Sequence, residues 1–334
     1  MIVNNPLSLL SKYRSALMGL AILGVLIGHV YDLGGIAKTD TFSKLLYFFS
    51  TQIHVGGFLF LSGYGIFYSL KGNSSTKEFY IKRIYRIVIP YLLLAVPYFL
   101  LFTVVKHESI WFFLSCVTTM EFWIHGNYHG MWYIALAIML YTITPPIYHF
   151  VNKNSRTAFC GLVVAVIASL SIDMLLKICV PEYYSLISIG VSRVHFYFIG
   201  MIFGLLAKDY NNRMVLLGMC STVAVLYGLI FTSSAFDVFC YYNIVPMLFW
   251  VMVSCVVLYS IRDITKDFVN RMLSWFGKYS LELYILHLFL WTILKFGMHT
   301  DNLYVIATSN LLAIMLCKPV HAVIERVSNY IKNK

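Results

Sequence analysis

The stretch that decides the fold reads Arg14-Ser-Ala-Leu-Met-Gly-Leu-Ala-Ile-Leu-Gly-Val-Leu-Ile-Gly-His29. It runs from a cation to a histidine through residues that are almost all apolar, which is typical of a helix inside a lipid bilayer. An ionisable side chain within a membrane costs roughly 3 kcal/mol on insertion scales, so its usual reason is function rather than packing. His29 is therefore the first candidate for a functional group.

The composition indicates that the whole chain is a membrane protein. Of its 334 residues, 60% are hydrophobic and only 12% are charged, and the mean hydropathy is +0.78. A soluble domain carries about 25% charged residues, and no long polar block remains here that would form a separate core. The composition predicts an all-α membrane protein with one domain over residues 1–334 and no soluble domain.

The charges and the cysteines exclude two other classes of protein. The formal net charge is +11, but the cations stand at the ends of apolar runs, as topology signals do, and do not follow one face as in a protein that binds nucleic acid. The seven cysteines occur singly, without a CxxC or other metal-binding spacing. We expect them to pack in the interior rather than to form disulfides or hold a metal.

Ten apolar runs are long enough to cross about 30 Å of hydrocarbon, and they lie near residues 15–32, 45–70, 86–105, 130–150, 158–180, 187–207, 213–232, 239–261, 279–297 and 303–321. The segment from Ser109 to Trp123 is also apolar, but it is short and closes on Glu121. We predict a re-entrant or interfacial piece there. An eleventh spanning helix is the alternative.

The distribution of Lys and Arg favours ten spans with both termini in the cytoplasm. With that topology most of the cations lie on the cytoplasmic side, as the positive-inside rule requires. An additional span at Ser109 to Trp123 would move Arg262, Lys266 and Arg271 to the outside.

The first helix is predicted to place three side chains on one stripe. Arg14, Met18 and His29 fall within about 60° of each other at 100° per residue, and the rise from Arg14 to His29 is about 22 Å. His29 then lies in the outer half of the bilayer, where desolvation favours the neutral imidazole that a general base requires. Asp32 is one turn further on and would hold one ring N–H. The alternatives are a histidine that only hydrogen-bonds a backbone carbonyl, and an interface aspartate.

Two further segments carry polar candidates near the start of the chain. The run His54-Val-Gly-Gly-Phe-Leu-Phe-Leu-Ser-Gly-Tyr-Gly65 contains Ser62, either a nucleophile or a side chain that bonds a helical carbonyl or lines a cavity. Arg83 and Arg86 are three residues apart, on one face. Two guanidinium groups suit a phosphate or diphosphate, and binding of anionic lipid headgroups with topology setting is the alternative.

Candidates also occur in the outer loop and in the later helices. His129 and Trp132 belong to a loop rich in aromatic and polar groups, which suits a sugar ring, although such residues are also common at membrane boundaries. Arg193 is a candidate cation of a cavity or a member of a buried ion pair. Glu282 and His287 are five residues apart, about 140° around a helix, so we expect them on different faces.

Six stretches, in this order, resemble the integral-membrane acyltransferase family 3, whose members O-acylate extracytoplasmic sugars, antibiotics and lipids. They are Leu20-Ala-Ile-Leu-Gly-Val-Leu-Ile-Gly-His29, Gly57-Phe-Leu-Phe-Leu-Ser-Gly-Tyr64, Arg83-Ile-Tyr-Arg-Ile-Val-Ile-Pro90, Met131-Trp-Tyr133, Arg193-Val-His-Phe-Tyr-Phe-Ile-Gly200 and Phe276-Gly-Lys-Tyr-Ser-Leu-Glu-Leu-Tyr-Ile-Leu-His287. The resemblance covers residues 13–326.

The resemblance implies an enzyme that takes an acetyl or short acyl group from acyl-CoA on the cytoplasmic side, with no bound cofactor. The acceptor would be a hydroxyl of an extracytoplasmic saccharide or glycolipid, and the location a prokaryotic inner membrane, with membrane lipids as the other partners. His29 takes the place of the essential histidine, and Arg83 with Arg86 that of the basic pair. Where the family usually has an arginine this chain has Met18, and Arg14, one turn earlier, is its proposed substitute.

The implied mechanism assigns roles to the remaining candidates. Acetyl-CoA would dock its phosphates on Arg83 and Arg86, and His29 would act as general base or be transiently acetylated. Arg193 or Tyr64 would stabilise the oxyanion. Two alternatives stay open: a transporter or flippase of a glycan-linked or acylated lipid, and an inactive scaffold of the same fold.

Overall fold

The structure, a computed structural model, describes residues 8–36, 39–72, 75–126, 130–209, 241–298 and 302–333. These residues form helices and turns, and no strand occurs among them. The elements are α1 (Ser8–Leu33), α2 (Thr41–Lys71), α3 (Thr76–Arg83), a π-helical segment (Ile84–Val88), α4 (Ile89–Lys106), α5 (Ile110–Val117), α6 (Met120–His125), α7 (Trp132–Val151), α8 (Ser155–Cys179), α9 (Pro181–Val191), α10 (Val194–Asp209), α11 (Tyr241–Ile261), α12 (Phe268–Lys278), α13 (Ser280–Met298) and α14 (Leu303–Lys332). The predicted all-α class is confirmed.

Eight helical stretches in the described part of the chain are long and apolar enough to cross a membrane: Leu9–Leu33, Thr41–Lys71, Thr76–Lys106, Trp132–Val151, Ser155–Cys179, Pro181–Ala207, Ser280–Met298 and Leu303–Lys332. Each corresponds to one of the ten predicted runs. The run 213–232 lies outside the described residues. The run 239–261 corresponds to α11, whose shorter stretch Met247–Ile261 is also apolar.

The segment from Ser109 to Trp123 forms two short helices rather than one span. α5 has 8 residues and rises about 12 Å, well short of a hydrocarbon core of about 30 Å. The buried carboxylate of Glu121 accepts a hydrogen bond from Ser115 Oγ at 2.5 Å and lies 3.1 Å from His125 Nδ1. This geometry favours the predicted interfacial or re-entrant piece over an eleventh span.

Glycines bring two pairs of helices into backbone contact. α1 crosses α12 where a Cβ on Gly19 would collide with the Leu273 carbonyl oxygen, and one on Gly277 with that of Ser15. α2 crosses α10 in the same way: a Cβ on Gly63 would collide with the Tyr197 carbonyl oxygen, and one on Gly200 with that of Phe60. Small residues allow such approach between membrane helices, where dispersion contacts drive association.

Three of the spans depart from regular α-helix: one is interrupted by the turn between α9 and α10, and the other two depart near polar groups. α2 bends at His54, whose φ of −42° and ψ of −106° are not helical. The span Thr76–Lys106 contains the π-helical segment, between Arg83 and α4. Irregular backbone at membrane depth is found where it is buried in protein or lines a cavity, and π-segments often mark functional sites.

The glycine crossings generate a test of the packing. Gly63→Ala should lower the thermal unfolding midpoint of the purified protein in detergent, because the added Cβ meets backbone that cannot rotate away. Overpacking of this kind costs about 1–3 kcal/mol.

Gly297→Ala is the matched control, since no atom lies within 4 Å of the Cβ that it would add. Its unfolding midpoint should equal that of the wild type or exceed it slightly, because Ala favours helix over Gly. Equal midpoints for the two variants would contradict the α2–α10 crossing.

Candidate active site

One large cavity is lined by most of the polar candidates of the sequence. Its volume is about 730 Å³, within the range of small-molecule sites. Side chains from α1, α2, the π-helical segment, α7, α12, α13 and α14 line it. We call it the basic cavity, after the guanidinium groups of Arg14, Arg83 and Arg86 on its wall.

The three guanidinium groups are held by different contacts. Arg14 Nε donates to the Leu61 carbonyl oxygen at 3.0 Å, and its guanidinium fills the space that a Cβ at Gly65 would take. Arg83 Nη2 donates to Ser69 Oγ at 3.1 Å. Arg86 is exposed. Their convergence makes this wall suitable for a ligand with several negative charges.

Aromatic rings support Arg83 from both sides. Its Cζ atom lies 5.1 Å from the centre of the Phe79 ring and 5.7 Å from that of Tyr141, at cation–π distance. A neighbouring groove of about 780 Å³ shares Arg83 and Arg86 with the cavity and adds Lys82 and Lys332. The basic surface therefore extends beyond the cavity itself.

The lining of the basic cavity also includes acidic side chains. Glu282 is buried, and its Oε1 lies 2.5 Å from His321 Nδ1, while His321 Nε2 lies 3.1 Å from Glu325 Oε1. Lys278 stands beside them on the same lining. Of the sequence candidates Glu282 is therefore placed in the cavity, with a partner on α14 that the sequence did not indicate.

Three aromatic rings, those of Phe58, Tyr133 and Tyr284, line one end of the cavity, which we call its deep end. Ser62 and Met18 belong to the same cavity lining. The ring centres of Phe58 and Tyr133 are 5.8 Å apart, and those of Tyr133 and Tyr284 are 5.7 Å apart. Tyr64 is not part of this lining: its side chain is buried, and its hydroxyl lies 2.7 Å from Ser11 Oγ.

Directly beyond these rings lie two histidines in contact, which we call the histidine pair: His29 and His287. His29 Nδ1 is 2.8 Å from His287 Nε2. His287 is fully buried, and its Nδ1 lies 2.9 Å from the Leu283 carbonyl oxygen. Its ring centre is 6.0 Å from that of Tyr284, which borders the cavity. The cavity thus ends one aromatic ring away from the histidine pair.

Three further ionisable residues, His54, Asp32 and Arg193, lie around this pair at longer range. His54 lies close enough to His29, Asp32 and Arg193 for electrostatic interaction with each. Asp32 Oδ2 accepts a hydrogen bond from the Tyr47 hydroxyl at 3.5 Å. The partner of His29 Nδ1 is therefore His287, where the sequence had pointed to Asp32.

Arg193 and Trp132, two further candidates from the sequence, contact each other. Arg193 stands in the turn between α9 and α10, where its Nη1 donates to the Ile189 carbonyl oxygen at 2.6 Å. Its Cζ lies 5.5 Å from the centre of the Trp132 ring. His129, the other loop candidate, lies outside the described residues. Next to it, Gly130 accepts a hydrogen bond from the Tyr284 hydroxyl, which ties the loop to α13.

The candidates thus separate into two groups. The basic cavity holds Arg14, Ser62, Arg83, Arg86 and Glu282. The histidine pair and its surroundings hold His29, with Asp32, Arg193 and Trp132 nearby. His287 and His321 complete these groups, and the signal that they offered in the sequence was an ionisable residue inside an apolar run. Chemically, one end can bind an anion, and the other can accept a proton at a neutral imidazole.

A comparison with known families gives this arrangement a chemical class. A family model described as an acyltransferase domain matches residues 16–317, which include every member of the two groups except Arg14 and His321. No curated protein and no solved structure matches the chain. Since the match covers most of the chain and agrees with the six motifs that resemble the same family, the protein belongs to the membrane acyltransferase family 3.

Proposed function

We propose that this protein is a membrane O-acyltransferase that moves an acetyl or short acyl group from cytoplasmic acyl-CoA to a hydroxyl of an extracytoplasmic saccharide or glycolipid. One observation carries the proposal: a cavity lined by three guanidinium groups ends one aromatic ring away from a pair of histidines. An anionic donor and a base for the acceptor hydroxyl would both be served by this arrangement.

The basic wall supports acyl-CoA as the donor. Arg83 and Arg86 would take its phosphates, since guanidinium groups bind phosphate bidentately. The adjoining groove with Lys82 and Lys332 offers further cations for the nucleotide part.

The depth of the histidine pair supports a long thin acyl carrier. The helical rise from Arg14 to His29 is about 22 Å, so the thioester arm must cross a distance of that order. Ser62 and Met18 line the path between these two depths. Arg14 would neutralise negative charge of the donor at the cytoplasmic end of this path, in place of an arginine at position 18.

The reaction proposed at the histidine pair balances without a cofactor. His29 takes the proton of the acceptor hydroxyl, the oxygen attacks the thioester carbonyl carbon, the C–S bond breaks, and the proton passes from His29 to the CoA thiolate. Transient acetylation of His29 is the covalent variant of the same transfer.

The surroundings of the histidine pair assign the other roles. Arg193 would stabilise the oxyanion, because Tyr64 is engaged with Ser11 away from the cavity. The carboxylate of Asp32 would instead stabilise the imidazolium that forms when His29 takes the hydroxyl proton. The Trp132 face and His129 would contact the acceptor sugar.

The proposed enzyme is one domain over residues 1–334 with ten spans and both termini in the cytoplasm of a prokaryotic cell, in the inner membrane. Eight stretches with the length and apolarity of spans support it, and the distribution of the cations agrees.

His29→Ala should reduce acetyl transfer by at least about 100-fold, the scale of general acid–base catalysis, while leaving membrane insertion unchanged. The measurement is transfer of radiolabelled acetyl from acetyl-CoA to cell-envelope glycans in membrane vesicles. His149→Ala is the matched control, because His149 is exposed and contacts Thr76 at the far end of α7. Full transfer by the His29 variant would remove His29 from catalysis. Glycan-lipid uptake without any acetyl transfer would favour the transporter alternative.

Arg14→Ala should lower acetyl transfer by about 10-fold or more, because it removes one of the three guanidinium groups from the cavity wall. Met18→Arg, introduced into the same variant, should restore part of that activity, since both positions line the cavity. Arg156→Ala, an exposed arginine at the start of α8, serves as control and should behave as the wild type. Normal activity without Arg14 would reject its role as the substitute.

Arg83→Gln and Arg86→Gln should weaken binding of acetyl-CoA by about 10-fold each, the scale expected for a lost charged hydrogen bond, and leave binding of acetyl-pantetheine, which lacks the nucleotide, unchanged. Calorimetric titration of the purified protein with both compounds measures the difference. Equal losses for the two compounds would show that these arginines do not bind the nucleotide phosphates.

A further inference from the structure

We propose that His287 is a positioning residue that holds His29 in one tautomer, with its proton on Nδ1 and its lone pair on Nε2. The inference rests on the proposed function, because it assigns the atom of His29 that acts as base. It follows from the hydrogen bonds around the histidine pair.

A backbone carbonyl decides which ring nitrogen of His287 carries the hydrogen. Its Nδ1 lies 2.9 Å from the carbonyl oxygen of Leu283, one turn earlier in α13. A carbonyl oxygen only accepts hydrogen bonds, so the Nδ1 atom of His287 carries a hydrogen and donates it. In a neutral imidazole the other nitrogen is then an acceptor, as in histidines whose tautomer a backbone carbonyl sets.

The surroundings of His287 exclude its protonated, imidazolium form. Its side chain is fully buried within a spanning helix, where an imidazolium without a counter-charge would be costly. Its hydrogen-bond partners among the described residues are His29 and the backbone of Leu283 and Tyr284, none of which is an anion. His287 is therefore neutral, and its Nε2 is an acceptor.

The tautomer of His287 in turn fixes the tautomer of His29. Its Nδ1 lies 2.8 Å from the accepting Nε2 of His287, so the hydrogen of this bond belongs to His29. The Nε2 atom of His29 makes no hydrogen bond within the described part of the chain. That atom keeps its lone pair, and it is the only ring nitrogen of His29 that can take the proton of an acceptor hydroxyl.

The same bond acts during the reaction. When His29 takes the hydroxyl proton at Nε2, it becomes an imidazolium whose Nδ1–H still donates to His287. An acceptor on this hydrogen holds the ring and stabilises its charge, the role that a carboxylate has in a Ser-His-Asp triad. A neutral imidazole does this more weakly, and it does not add a second buried charge.

The position of His287 is itself well supported. Three residues earlier in the helix, the Tyr284 hydroxyl donates to the Gly130 carbonyl oxygen. On the following residue, Leu288 packs against Gly130, where a Cβ would collide with its side chain. The turn of α13 that carries His287 is thus held against the start of α7, and the ring has little freedom to leave His29.

The tautomer can be measured without any acetyl transfer. We expect ¹⁵N NMR of histidine-labelled protein in lipid vesicles to show His29 and His287 both neutral, each with the hydrogen on Nδ1, and with a coupling between His29 Nδ1 and His287 Nε2 across the hydrogen bond. The His29→Asn and His287→Asn variants assign the two sets of signals. A hydrogen on Nε2 of His29, or a protonated His287, would overturn the proposal even if the enzyme is active.

Activity measurements separate positioning from packing. His287→Gln retains an acceptor oxygen and should keep acetyl transfer within about 10-fold of the wild type, whereas His287→Leu should lower kcat by about 100-fold with an unchanged KM for acetyl-CoA. His149→Leu is the matched control and should have no effect. Equal losses in the Gln and Leu variants would overturn the proposal. Absence of transfer in the wild type would instead reject the proposed function, and the NMR result would still decide the tautomer.

Discussion

Close contact between helix backbones is the interaction on which the rest of the structure depends. Lipid tails are as apolar as the side chains that face them, so burial of apolar surface does little to hold membrane helices together, and tight packing must do so. The crossing of α1 with α12 at Gly19 and Gly277 places one wall of the basic cavity. The crossing of α2 with α10 at Gly63 and Gly200 fixes the position of α2, another helix that lines this cavity. Both His29 and Arg14 belong to α1, so the rise along this one helix sets the distance between them.

Local properties of the chain explain what could be predicted from its sequence. Apolar length and flanking charge depend on neighbouring residues alone, and they predicted the eight candidate spans that occur in the described part of the chain. The cluster of Arg83 and Arg86 was equally visible, because the two side chains are three residues apart. The angle between Glu282 and His287 also predicted different surroundings, and the two residues contact different partners, His321 and His29.

The remaining features depend on which helices are neighbours, and hydropathy does not encode this. His29 and His287 are 258 positions apart, so the sequence offered Asp32, one turn away, as the nearer partner. Tyr64 was grouped with Ser62 because both belong to one motif. Residues two positions apart, however, point about 200° away from each other around a helix, and of these two only Ser62 lines the cavity. The bend at His54 left no clear signal either, because no proline accompanies it. The π-helical segment had one, since Pro90 follows it and lacks the N–H that would bond the Arg86 carbonyl.

The aromatic rings at the deep end of the cavity have a consequence for the membrane itself. The rings of Phe58, Tyr133 and Tyr284 lie between the guanidinium groups of the basic cavity and the histidine pair. A continuous water-filled path at this place would conduct protons and ions and discharge the electrochemical gradient. With the rings in contact, a slender uncharged thioester end can reach the histidines while hydrated ions stay behind. On the proposed function, the bilayer thus remains insulating while an acyl group crosses it.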